Sequence, residues 1–111
     1  FAQAIAAARS VAIQREWVAE TKTDAELREI FFREGLFPHD WSNGPGDFYP
    51  AHSHDYDKVI YVVRGSITWW LPATNESIEA HAGDRLDLPR GTMHAAQVGP
   101  EGVTCFEGQR V

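Results

Sequence analysis

Two of the five histidines, His52 and His54, stand one residue apart in the segment YPAHSHDYDKVIYV. Side chains alternate faces along a strand, so this spacing sets both imidazoles on one side, close enough to share a cation. A third, His94, lies in LPRGTMHAAQV, after Pro89 and Gly91 have turned the chain and before another short strand. Folding can therefore bring it opposite the pair. Neutral imidazoles suit a divalent transition metal (zinc, iron, nickel, copper or manganese) rather than magnesium or calcium, whose partners are oxygens. The remaining histidines, His39 and His81, occupy turn-rich or strand-edge contexts and read as surface residues. Cys105, in VTCFEG, reads as a small buried apolar residue and not as a nucleophile.

The elements that must position these groups are mostly strands. From Leu36 onward, short β-branched and aromatic runs alternate with turn clusters such as SNGPGD, LPATNES, HAGD, LPRGT and VGPEG. Strands at that spacing predict an all-β sandwich or barrel over residues 36–111. The run VIYVV, Val59 to Val63, is apolar at both parities, so it should be covered on both faces, by a barrel interior on one side and by a double-sheet layer or a dimer seam on the other. Ahead of the strands, Thr23 is placed to cap a helix, with Glu26 as its capping-box partner and Gly35 as the stop. One short helix over about residues 24–34 follows, within a segment 23–35. Leu27, Ile30, Phe31 and Glu34 share its inner side. Residues 1–22, which include Trp17 and Val18, give no firm period and read as an arm that can be helix, edge strand or both in turn.

The order Gly46, five residues, His52, one residue, His54, then Gly65 resembles the first motif of the cupin superfamily. Gly83, five residues, Pro89, one residue, Gly91, two residues, His94 resembles the second, at the short inter-motif distance usual for small bacterial members. The resemblance covers about residues 36–110. It implies a jelly-roll β-barrel whose interior holds a metal on His52, His54 and His94. Two positions depart from the pattern. Lys58 stands where the family usually places a glutamate ligand, and Val98 replaces a commonly seen asparagine that is not itself a ligand. The three-histidine set that remains is similar to that of thiol dioxygenases in the same superfamily.

Strand parity puts Lys58 on the face of His52 and His54, and Asp55 and Asp57 on the other. A bulge in DYDK would exchange them and offer Asp57 as a fourth ligand. On the inner face, burial and a metal would push the Lys58 amine toward its neutral form, fit for a base or a nucleophile. The alternative is that it leans out. Trp41, Phe48, Tyr56 and Trp69 are candidates for the walls of a small-molecule pocket. Trp70, next to Trp69, must face the other way, which together with VIYVV suggests a homodimer seam, the arrangement common among small cupins.

Composition narrows the partners. Ten basic against sixteen acidic residues give a net charge of -6, which repels nucleic acid and anionic membrane surfaces. No stretch is long enough to span a bilayer, and FAQAIAAARSVAI lacks the basic start of a secretory leader. One cysteine fits a reducing compartment, so a cytoplasmic protein is expected. Two functions fit these residues. One is a metal-dependent oxygenase or isomerase acting on a small organic molecule. The other is a binding or sensing module that holds such a molecule without breaking a bond, with or without metal.

Overall fold

Two long strands organise the computed structural model, which describes residues 11–15 and 22–110. In chain order the elements are β1 (Ala12–Gln14), α1 (Asp24–Arg33), β2 (His39–Asn43), β3 (Phe48–His52), β4 (Asp57–Leu71), β5 (Glu76–His81), β6 (Arg85–Leu88) and β7 (His94–Arg110). β4 and β7 lie antiparallel along most of their length. The first half of β4 also pairs with β6 and its second half with β5. Likewise β7 begins against β3 and ends against β2. Each long strand thus changes neighbours halfway along within one seven-stranded antiparallel sheet, an all-β arrangement that fits the barrel the strand-and-turn pattern predicts and the jelly roll the family resemblance implies.

Changing neighbours requires a bend, and the β4–β7 register shifts between Val62 and Arg64 and again between Gly65 and Ile67. At the bend Gly65 adopts φ 79°, and a β-carbon there would lie 1.9 Å from the carbonyl oxygen of Gly102. Only glycine lets the two backbones meet so closely.

On the inner face, Ile60, Val62, Ile67, Trp69, Leu86, Leu88, Ala96, Val98, Val103 and Cys105 form the main core. Parity within VIYVV sends Ile60 and Val62 into it and Val59 and Tyr61 to the opposite face. That opposite face is covered by this chain's own helix. Leu27 and Phe31 of α1, with Leu36, pack on Val59, Tyr61 and Phe106. The double apolarity of VIYVV therefore needs no second copy of the chain to explain it.

The helix forms where its caps predict. Thr23 N–H donates to Glu26 Oε1 at 2.8 Å, and Glu26 N–H donates to Thr23 Oγ1 at 3.2 Å. Its last turn closes at Arg33, one residue before the expected end, with Glu34 as C-cap and Gly35 at φ 75°. Glu34 then takes a bidentate hydrogen bond from Arg85, at 2.6 and 2.8 Å, which fastens the helix to β6.

Of the N-terminal arm, the described part is an edge strand, with Ile13 opposite Leu86 of β6 and Arg15 paired to Asp84 at 3.0 Å. Trp17 and Val18 lie outside the described residues. Among the described residues no helix is long and apolar enough to cross a membrane.

Candidate metal centre

The end of β3 and the start of β7 place the first two imidazoles, because His52 is the cross-strand partner of His94. Their rings sit 4.4 Å apart, centre to centre. His54 follows in the loop after β3, its ring 4.8 Å from that of His52 and 5.3 Å from that of His94. One nitrogen from each residue lies within 4.8 Å of the others. The turn before His94 is tied to the His54 loop by Gly91 N–H, which donates to the His54 carbonyl at 2.7 Å. The two motifs are thus joined through backbone as well as through side chains.

Hydrogen bonds select which nitrogen of each ring is available. His52 Nδ1 is 2.7 Å from the Pro50 carbonyl oxygen and His94 Nδ1 is 2.8 Å from that of Thr92. A carbonyl only accepts, so both Nδ1 atoms carry hydrogen and both Nε2 atoms keep lone pairs. At His54, Nδ1 lies 3.2 Å from the Tyr56 hydroxyl and Nε2 lies 3.4 Å from Lys58 Nζ. An ammonium only donates, so this Nε2 also presents a lone pair and Nδ1–H donates to the phenol oxygen. Carbonyl-anchored imidazoles of this kind are the usual supporting arrangement for metal-binding histidine. Burial holds His94, 3% exposed, below the ordinary imidazole range, although the Thr92 carbonyl favours the charged ring. Burial and then the nearby Lys58 charge do the same at His54. Neutral rings are the form that binds a cation.

Lys58 faces this cluster, as parity predicts. Its ammonium is also 3.6 Å from Glu107 Oε1, and the two side chains are 14% and 8% exposed. Glu107 in turn accepts from Trp41 Nε1 at 3.0 Å. Asp57, by contrast, points away from the histidines. Its Oδ1 accepts from the Arg90 backbone N–H at 2.8 Å, because the DYDK stretch enters β4 without a bulge. The structure does not bring Asp57 in as a fourth ligand.

Beside the imidazoles a cavity of about 380 Å³ is lined by Trp41, Tyr49, His52, Lys58, Ile60, Ile67, Trp69, His94 and Glu107, among others. Two of the four aromatic residues expected in its walls, Trp41 and Trp69, are there. Tyr56 instead stacks on His54, ring centres 4.9 Å apart. Phe48 is 62% exposed and lines an outer groove with Trp70 and Ala51, since its side chain leaves β3 on the outward face. Cys105 is buried, its thiol pushed up to about 12 by burial and by Glu107, which leaves it inert at neutral pH. His39 and His81 are exposed. Glu107 was not among the expected site residues. The signal for it lay in VTCFEG: Cys105 reads as inward, and the same parity carries Glu107 inward two residues later.

No protein-family model matches the sequence, and no curated protein does. Solved structures do resemble the fold. The polyketide cyclase RemF from Streptomyces resistomycificus superposes with a TM-score of 0.61 at 25% identity, over 68% of this chain and 54% of RemF. The chain thus spans about half of that enzyme's length. An RmlC-like cupin from Shewanella frigidimarina gives 0.59 at 23% identity, over 68% and 65% of the two chains. A DUF861-family protein from Thermotoga maritima gives 0.61 at 17% identity, over 88% and 97%.

Proposed function

We propose that this chain, whose fold is that of cupin-superfamily domains, is a metal-dependent enzyme acting on a small organic molecule. The observation that carries the reading is the set of three imidazole Nε2 lone pairs at one edge of the aromatic-walled cavity, two of them fixed by backbone carbonyls. The donor chemistry fits a divalent transition metal, with zinc, iron, nickel, copper and manganese as the candidates. Such an ion, when bound, supplies a Lewis acid that polarises a substrate oxygen, and iron or copper would add oxygen chemistry.

The chain's own residues supply the rest. Trp41, Tyr49 and Trp69 exclude water from a cavity sized for a small ligand. Lys58 Nζ offers a proton donor and the Glu107 carboxylate a proton acceptor within that cavity. Oxygenation and isomerisation remain the leading reaction types, and the likeness to the polyketide cyclase RemF adds ring closure as a third. A homodimer is also proposed, through the outer groove that bears Trp70, 43% exposed, and Phe48. Light scattering on the wild type and on Trp70→Glu checks it.

One observation favours the alternative of a binding or sensing module. Lys58 Nζ lies 3.4 Å from His54 Nε2 and so competes for one of the three lone pairs a metal would need. A substrate screen over small carbonyl and hydroxyl compounds, in air and under nitrogen, separates the two readings. Turnover that disappears on chelation and in His52→Ala supports the enzyme. Ligand binding that survives chelation, with no turnover, supports the module.

A further inference from the structure

We infer that Lys58 and Glu107 form a counter-charge pair that sets how tightly the three histidines hold a cation, Lys58 opposing it and Glu107 relieving that opposition. The inference rests on His52, His54 and His94 being the metal donors and concerns what their neighbours do to them. Lys58 Nζ stands between two acceptors, His54 Nε2 at 3.4 Å and Glu107 Oε1 at 3.6 Å. Both charged side chains are nearly buried, so water screens them poorly and their effect on a third charge nearby is large.

The lone pair that Lys58 meets is the one a cation needs from His54, because His54 Nδ1 is committed to Tyr56. Cation entry therefore requires the ammonium to withdraw. Glu107 provides the destination. The present 3.6 Å separation is longer than a charge-assisted hydrogen bond of about 2.8 Å, so the pair can close. Glu107 itself accepts from Trp41 Nε1 at 3.0 Å, which holds its carboxylate in the wall of the same cavity. The exchange moves no proton. The N–H to His54 Nε2 contact breaks, the N–H to Glu107 contact shortens, and the His54 lone pair passes to the cation.

The two charges must then act with opposite sign. Without the Lys58 charge, no ammonium among the described residues competes for His54 Nε2. Without the Glu107 charge, the ammonium has no alternative partner and stays against the imidazole. Glu107 is mainly a positioning residue in this scheme, acting through Lys58, with the direct attraction of its carboxylate for the cation added to that effect.

Zinc binding to the full chain, measured by calorimetry at one pH, tests this with zinc alone as the probe. Like and opposite charges at this range shift ion binding to an imidazole by about tenfold or more. Lys58→Met should therefore bind zinc about tenfold more tightly than the wild type, and Glu107→Gln about tenfold more weakly. In the Lys58→Met background, Glu107→Gln should weaken zinc binding by clearly less than it does in the wild type, because only the direct attraction of the carboxylate is left to lose, and a double-mutant cycle reads the difference. Lys58→Arg, which keeps the charge, should stay near the wild type. Lys58→Gln stands in for Lys58→Met if circular dichroism shows the methionine variant unfolded.

Equal affinities in all variants would overturn this inference and leave the metal reading intact. A Glu107→Gln loss of the same size in both backgrounds would overturn the route through Lys58. Zinc bound by the Lys58 variants but not by the wild type would uphold the inference and overturn the metalloenzyme reading. No zinc in any variant would overturn both.

Discussion

At the scale of single residues, the site depends on which ring nitrogen carries hydrogen and on how easily each ring takes a second proton. Backbone carbonyls answer the first question at His52 and His94, and Lys58 with Tyr56 answers it at His54. The second has a consequence for stability. Burial sets His54 and His94 below their usual value of 6.5 in the folded chain. Above 6.5 both states hold neutral rings and these residues contribute no pH dependence. As pH falls below it, the unfolded chain takes up protons first, so folding stability falls until the lowered folded values are passed. Denaturant midpoints of metal-free protein between pH 7.5 and 5 should decline toward acid, and His94→Gln should show a shallower decline. A flat wild-type profile would contradict the assignment of neutral rings. The same protonation competes with metal, so metal affinity should weaken over the same interval.

Among the elements, the turn between β6 and β7 aims His94, and three contacts hold it. Asp57 accepts from the Arg90 backbone, Arg90 Nε lies 3.5 Å from the same carboxylate oxygen, and Gly91 N–H donates to the His54 carbonyl. Asp57→Ala should therefore weaken metal binding by about tenfold while leaving its stoichiometry at one, as expected of a supporting residue and not of a ligand. Loss of the bound ion altogether would argue that Asp57 does more than brace the turn. The helix is a separate matter. Phe31 is 1% exposed and packs against Tyr61, ring centres 5.9 Å apart. Phe31→Ala should cost about 3–5 kcal/mol in urea unfolding. Metal affinity, measured on the folded fraction, should be unchanged.

Much at this scale was legible because it is governed by local rules. The capping box at Thr23 and Glu26, the period of two that sends Lys58 in and Asp57 out, and the alternation of Trp69 with Trp70 each need only neighbouring residues to be decided. What covers Val59 and Tyr61 was not legible in that way. An apolar face states that something lies on it, and whether that is a helix of the same chain or a second copy depends on the path of the intervening residues. Glu107 escaped for a related reason. Parity marks it as inward, but its partners Trp41 and Lys58 come from two other strands, 66 residues away in the case of Trp41. Phe48 and Tyr56 show the limit of residue type as a guide, since aromatic side chains near a site need not face its cavity.

For the whole molecule, the architecture and the chemistry meet at one end of the barrel. β4 and β7 run through the middle of the sheet, so the main core, the cavity and the cluster of imidazoles share the same inner surface. A cation that binds the folded chain and not the unfolded one should raise the melting temperature, by an amount that grows with its concentration. Metal content by plasma mass spectrometry, on protein purified without chelator or affinity tag and beside a His94→Ala control, decides whether the three histidines hold an ion. The account predicts near-stoichiometric zinc, iron, nickel, copper or manganese in the wild type and none in the variant. A wild type without metal, unable to take up any of these ions when they are added, would contradict it.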